Sequence, residues 1–248
     1  LGHNNMGKLG LNLDDLIILL PTNINFDNKD VIHISAGDFH TLALTVEGVP
    51  YGMGSSFFGQ LGRAQFIRNE YHSPINVLEE SDVKHKIFIK VSAGYHFSLL
   101  LDSDGIAYGV GSNFFGQLGT NTESTWRIQP IVMDLNIKMK AISAGSYHSI
   151  FLSAALQPYG TGEATRHSLR QSSKIPLPLT NLSLIHQVFA YDFYSMFLTK
   201  EESITIWGTL GEKNEQTLPF SKCKVIGGGV SISFQCDDIL QFRHCLRG

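Results

Sequence analysis

The stretch YGMGSSFFGQLG, Tyr51 to Gly62, returns as YGVGSNFFGQLG at Tyr108 to Gly119, 57 positions later. Two near-identical dozens at that separation mark a duplicated structural unit; a catalytic loop has no reason to be written twice. The shared phrase G-x-x-x-x-G-Q-L-G covers Gly54 to Gly62 and Gly111 to Gly119, and a relative, GHNNMGKLG, covers Gly2 to Gly10. A second phrase recurs as ISAGDFHTLAL (Ile34 to Leu44), VSAGYHFSLLL (Val91 to Leu101) and ISAGSYHSIFL (Ile142 to Leu152). Its alanines, Ala36, Ala93 and Ala144, stand 57 and 51 positions apart, so the unit is a little over fifty residues long.

Beyond Leu152 the pattern erodes. YGTGEATRHSLR (Tyr159 to Arg170) has His167 where Gly116 stood, and VFAYDFYSMFL (Val188 to Leu198) has Tyr191 where Gly145 stood. IWGTLG followed by VIGGGVSIS is a loose further echo.

Within a unit the local signals are short strands. VIHIS, TLALT and VPYGMG are apolar or alternating runs bounded by turn residues, and Asp104-Gly105 is a favoured hairpin turn because glycine tolerates positive φ. A fourth run follows Pro74 and Pro130, with Pro21 in the matching place earlier, as proline is tolerated at a strand start or sheet edge. Four antiparallel strands per unit make one propeller blade. The repeated Gly37, Gly59, Gly62, Gly94, Gly116, Gly119 and Gly145 are expected at positive φ or where a Cβ would collide with a neighbouring strand.

The bulk numbers exclude several classes. A hydrophobic fraction of 43% with 17% charged residues fits a folded, water-soluble protein, and no run nears the roughly 18 apolar residues of a membrane span. A formal net charge of −3 argues against a phosphate-tracking surface, so nucleic acid is not an expected partner of this chain. Cys223, Cys236 and Cys245 are odd in number and form no C-x-x-C, which fits free thiols in a reducing, intracellular compartment, cytoplasmic or nuclear, with an organelle left open.

S-A-G-x-x-H-[ST], D-G-x-x-Y-G-x-G and S-N-x-x-G-Q-L-G at this period resemble the repeat of the RCC1 family, the propeller named after the regulator of chromosome condensation. The resemblance is strong from Gly2 to Leu152 and weaker to Gly211. It implies an all-β propeller of four-stranded antiparallel blades across residues 1–248, repeat-rich over 1–152 and degenerate over 153–248. Either the chain is part of a seven-bladed ring, or it closes a smaller ring through a composite blade in which GHNNMGKLG pairs with strands from VIGGGVSISFQ.

Enzyme signals are missing: there is no G-x-S-x-G, H-E-x-x-H or P-loop, and no cofactor or metal is expected. His40 and His148 could serve as catalytic or ligand residues, but the same slot holds Phe97 in the second copy and Tyr194 in the fourth, so the slot reads as space-filling. The expected role is a non-enzymatic scaffold for protein partners. Candidate contacts are Phe57 and Phe114, the first members of two Phe pairs, and Arg63, Arg68, Trp126 and Arg127 in the dissimilar segments RAQFIRNEYH and TNTESTWRIQ, read as loops. The resemblance also implies two alternatives, guanine-nucleotide exchange on a small GTPase and a chromatin-associated module.

Overall fold

The computed structural model describes residues 1–13, 15–64, 69–134, 136–164, 168–182, 184–200 and 203–210, with the strand segments 213–218, 223–227 and 233–236 beyond them. Every strand is antiparallel to its neighbours. An opening ribbon pairs β1 (Gly2–His3) with β2 (Ile17–Ile18), joined through a short 3-10 turn at Asn5–Gly7. Four four-stranded sheets follow, each laid out in chain order. Blade one holds β3 (Val31–Ala36), β4 (His40–Thr45), β5 (Pro50–Ser55) and β6 (Glu70–Asn76). Blade two holds β7 (Phe88–Ala93), β8 (Phe97–Asp102), β9 (Ala107–Gly111) and β10 (Thr125–Pro130). Blade three holds β11 (Met139–Ala144), β12 (His148–Ser153), β13 (Pro158–Gly162) and β14 (Ser173–Pro178). Blade four holds β15 (Ile185–Tyr191), β16 (Tyr194–Thr199), β17 (Ile204–Leu210) and β18 (Lys213–Leu218), and a ribbon of β19 (Cys223–Gly227) and β20 (Ser233–Cys236) comes last.

The eroded repeats therefore still fold as complete blades. The expected turn at Asp104-Gly105 is present: Gly105 has φ 78°, and the buried Asp102 carboxylate accepts from the Asp104 and Ile106 amides at 3.0 and 2.8 Å. The fourth strands begin earlier than the prolines suggested. Pro74 lies inside β6 and Pro130 ends β10, which is tolerated because both are edge strands, where a missing N–H breaks no inner ladder. Residues 21–26, around Pro21, form no strand. Among the described residues β1 pairs only with β2 and β19 only with β20, so of the two alternatives the pairing of GHNNMGKLG with VIGGGVSISFQ is not seen among them. The register of the last ribbon pairs Cys223 with Cys236.

Blades stack by burying one blade's second strand against the next blade's first. Leu42 and Leu44 of β4 meet Phe88, Val91 and Ala93 of β7; Leu99 and Leu101 of β8 meet Met139, Ile142 and Ala144 of β11; Ile150 and Leu152 of β12 meet Ile185, Val188 and Ala190 of β15. Alternation along each strand is what presents these side chains to the neighbouring sheet. The serine of each S-A-G phrase adds a hydrogen bond across the same seam. Ser35 Oγ accepts from the Ala93 amide at 3.0 Å, Ser92 from Ala144 at 3.0 Å, and Ser143 from Ala190 at 2.8 Å. Blade four carries Phe189 at this position, so the series stops there. No helix of the described residues is long and apolar enough to cross a membrane.

Candidate partner-binding face

One aromatic slot per blade fixes the turns that carry the site. His40, Phe97, His148 and Tyr194 each open the second strand of their blade. A Cβ on Gly94 or Gly145 would run into the ring of Phe97 or His148, and one on Gly37 would run into the Gly94 carbonyl oxygen, so these three glycines are required for space, not for positive φ. Tyr191 replaces that glycine in blade four, and Tyr194 correspondingly is only partly buried, tilted against Tyr191 at 5.8 Å. Gly59, Gly62, Gly116 and Gly119 do have positive φ. Gly59 combines φ 79° with a backbone so close to blade two that a Cβ would stand 2.6 Å from Trp126 Cβ.

Both histidines are structural. Ser98 donates to the Gln60 carbonyl at 2.7 Å, so its oxygen accepts from His40 Nε2 at 2.9 Å. Ser195 does the same between the Ser168 carbonyl, 2.7 Å, and His148 Nε2, 2.9 Å. Where Phe97 fills the slot, Ser149 keeps only the bond to the Gln117 carbonyl, 2.6 Å. Thr41 likewise donates to the Lys8 carbonyl at 2.9 Å, which places GHNNMGKLG as the matching loop of a blade preceding blade one. Burial, with the nearby His96 adding to it, pushes the His40 pKa down to about 3. Burial also brings His148 down to about 4, against an opposing hydrogen bond with the Tyr194 backbone. These rings are neutral in the folded protein. Among the described residues no three His, Cys, Asp or Glu side chains converge as metal ligands.

The turns held by this slot converge with the F-F-G-Q-L-G loops on one end of the blades. Each turn places an aromatic residue just before the second strand: Phe39, Tyr95 with His96, Tyr147, and Phe193. Phe39 stacks on His96 with centroids 4.9 Å apart, and Tyr95 reaches Tyr147 at 5.5 Å, which reaches Phe193 at 5.7 Å. From the loops, Phe58 contacts His96 at 4.6 Å and Phe115 contacts Tyr147 at 5.1 Å, while Phe58 meets Phe114 at 6.0 Å and Phe57 at 5.3 Å. The result is a continuous run of rings crossing all four blades. The second Phe of each pair packs onto the next blade's turn; the first stands open, Phe57 58% and Phe114 65% exposed.

Acidic groups share this face. Asp38 and Asp192 occupy matching turn positions in blades one and four, and the Asp192 side chain accepts from Ser146 Oγ at 2.8 Å. Partial burial raises the Asp38 pKa, the Asp192 carboxylate raises it further, and Lys8 opposes them. Tyr147 is raised by burial first, then by Tyr95, Asp192, Glu163 and Asp38, which sets the carboxylates around its hydroxyl.

The remaining sequence-predicted contacts fare differently. Arg63 is withdrawn from the surface: it is buried, donates to the Asn76 carbonyl at 2.9 Å and is ion-paired with Glu79 and Glu80. Trp126 and Arg127 belong to the edge strand β10, not to a loop, with the Arg127 guanidinium 4.9 Å from the Trp126 ring centre. Arg68 lies outside the described residues. Sequence reasoning missed Phe39, Phe58, Tyr95, His96, Phe115, Tyr147 and Phe193. Their signal was present: the two variable positions of S-A-G-x-x-H include an aromatic ring in every copy, and Phe58 and Phe115 are the second members of the duplicated Phe pairs.

Two family models, both described as Regulator of chromosome condensation (RCC1) repeat, match this chain, one at residues 31–60 and 88–117 and the other at residues 1–44 and 104–152. The chain belongs to the RCC1-repeat family. Among curated RCC1-type relatives, the Regulator of chromosome condensation of Xenopus laevis is 26% identical over 224 residues, covering 83% of this chain and 52% of that protein. Larger relatives match over as little as 4% of their length, and this chain spans about half the length of the RCC1-type relatives it matches. Human WBSCR16 superposes with a TM-score of 0.75 at 21% identity, covering 88% of this chain and 60% of that one. Prp20p from Saccharomyces cerevisiae, described with its binding properties to Gsp1p and histones, superposes at 0.67 and 20% identity, covering 81% and 52%. The RCC1-like blade fold is thereby established.

Proposed function

We propose that this chain is a non-enzymatic interaction platform that holds a protein partner on the aromatic end of its blades. The observation that carries the reading is the run of partly exposed rings from Phe57 to Phe193, built by the two turns that the repeat duplicates. Exposed aromatic residues contribute large contact area at low entropic cost, and a contiguous apolar patch on a soluble protein marks a binding surface. Asp38 and Asp192 add specificity, favouring partners that bring cationic side chains. The slot histidines are buried away from solvent and bond one blade to the next, which favours a structural over a catalytic role. The three cysteines, with no C-x-x-C spacing, support an intracellular setting.

Affinity capture with the wild-type chain and with a Phe57→Ser, Phe114→Ser double variant, followed by mass spectrometry, tests this. Partners retained by the wild type and lost by the variant support the reading; an identical set from both refutes it. A narrower reading is acceleration of nucleotide release from a small GTPase. Prp20p, studied with Gsp1p, indicates the partner class to try first. A folded chain that leaves nucleotide release unchanged across a GTPase panel removes the narrower reading and leaves the platform standing.

A further inference from the structure

The aromatic face is chemically uneven. On one side stand the open rings of Phe57 and Phe114, on the loops between third and fourth strands; on the other, the turns between first and second strands gather acid around Tyr147. Two carboxylate-bearing residues are fastened beside that tyrosine. The Glu163 amide donates to the Tyr147 carbonyl at 2.9 Å, and Ser146 donates to Asp192 twice, from its amide to the carbonyl at 3.0 Å and from Oγ to the carboxylate at 2.8 Å. Asp38, on the matching turn of blade one, lies within electrostatic reach of both Asp192 and the Tyr147 hydroxyl. Departure from the repeat supplies part of this charge: Glu163 stands where blades one and two carry Ser55 and Ser112, and Asp192 where blades two and three carry Tyr95 and Ser146.

The charge is not balanced from within. Among the described residues no Lys, Arg or His comes within ion-pair distance of the Asp38, Asp192 or Glu163 carboxylates, and Lys8 donates to the Asp38 carbonyl, at 3.0 Å, rather than to its carboxylate. Nor do these groups form a chelate, since no three metal-binding side chains converge among the described residues. Carboxylates spread around an aromatic ring, too far apart to share a metal ion, suit a cation that is itself flat and delocalised. A guanidinium has that shape: it stacks on aromatic faces and presents five N–H donors in a planar fork that meets carboxylates at its edges. An ammonium, a compact and strongly hydrated point charge, matches the ring less well.

We propose that the face takes a linear segment of a protein partner bearing an arginine and, a few residues away, a large apolar side chain. The guanidinium lies over Tyr147 between Asp38 and Asp192, and the apolar group rests on Phe57 and Phe114. This names the partner chemistry of the platform and rests on that reading. Charge complementarity selects the arginine end, because an acidic segment is repelled there, while the open rings hold the apolar end.

A randomised dodecapeptide library displayed on phage and selected on the wild-type chain should enrich arginine together with an aromatic or leucine side chain. The enriched sequence is then synthesised twice, once with citrulline in place of arginine, which keeps the shape and removes the charge. Fluorescence polarisation should show the citrulline peptide binding about tenfold more weakly. An Asp38→Asn, Asp192→Asn double variant should weaken the arginine peptide by a similar factor and bind the citrulline peptide as the wild type does. Both aspartates are exposed and asparagine still accepts from Ser146, so this variant should keep the wild-type melting temperature. Enrichment of lysine without arginine, of acidic or uncharged sequences, or of none overturns the proposal, as does a citrulline peptide that binds like its parent. In any of those cases, capture of protein partners that the Phe57→Ser, Phe114→Ser variant loses still supports the platform reading, so the two failures are told apart.

Discussion

Removing the Ser98 hydroxyl by Ser98→Ala should destabilise the protein more than the same change at Ser149, although both serines are buried at matching positions. Ser98 serves two buried groups, the Gln60 carbonyl at 2.7 Å and His40 Nε2 at 2.9 Å; Ser149 serves one, the Gln117 carbonyl at 2.6 Å, because Phe97 fills the slot beside it. A buried polar group left without its partner costs about 1–3 kcal/mol. Ser149→Ala should therefore cost about 1–3 kcal/mol and Ser98→Ala about 2–6 kcal/mol. Ser195→Ala, with bonds to the Ser168 carbonyl and His148, should fall with Ser98. For a chain of this size each kcal/mol moves the melting temperature by about 2–4 °C, so the gap is measurable by thermal and urea unfolding. A Ser149 variant that loses as much as the other two would show that the histidine bond contributes nothing, and the account of the slot would fail.

Acid should weaken the fold through the same histidines. Their folded pKa values, about 3 for His40 and about 4 for His148, lie below the ordinary 6.5. The unfolded chain therefore binds more protons: the stabilisation is complete above pH about 6.5 and drains as pH falls toward those values, at up to about 1.4 kcal/mol per pH unit per histidine. His40→Phe, copying Phe97, should flatten that slope by one histidine's share in urea titrations at stepped pH; an unaltered slope would contradict the burial argument. Phe57→Ser with Phe114→Ser should shift stability by no more than about 0.5 kcal/mol while abolishing partner capture. Arg63→Met should do the reverse, costing about 1–3 kcal/mol by orphaning the Asn76 carbonyl while leaving capture intact. Gly59→Ala should cost about 1–2 kcal/mol for φ 79° and about 1–3 kcal/mol more for crowding Trp126, read as lost urea resistance.

The blades were legible because their determinants are local and repeated. Asp104-Gly105 names its own turn, and alternation in TLALT or SLLL names the buried face. Even where Tyr191 replaced a glycine, strand patterning carried blade four to completion. The outer strand was misplaced because its prolines look like starts, while the ladder only requires that they sit on an edge. Arg63 was misjudged for a related reason: its residue type fits an interface, but its acceptors, Asn76, Glu79 and Glu80, come from the end of its blade's fourth strand and the turn that follows it. The binding face was half legible. Phe57 and Phe114 stood out as duplicated pairs, whereas Phe39, Tyr95 and Tyr147 are variable positions inside a repeated phrase, and only blade stacking brings them into one surface.

The central claim, that one end of the blades does the recognising, is tested most directly by amide hydrogen exchange on the chain with a captured partner bound. Protection should appear in the turns at residues 37–40, 94–97 and 145–148 and in the loops at 56–60 and 113–117. Protection confined instead to the opposite turns at 46–49 and 103–106, or to the edge strands β6 and β10, would contradict it.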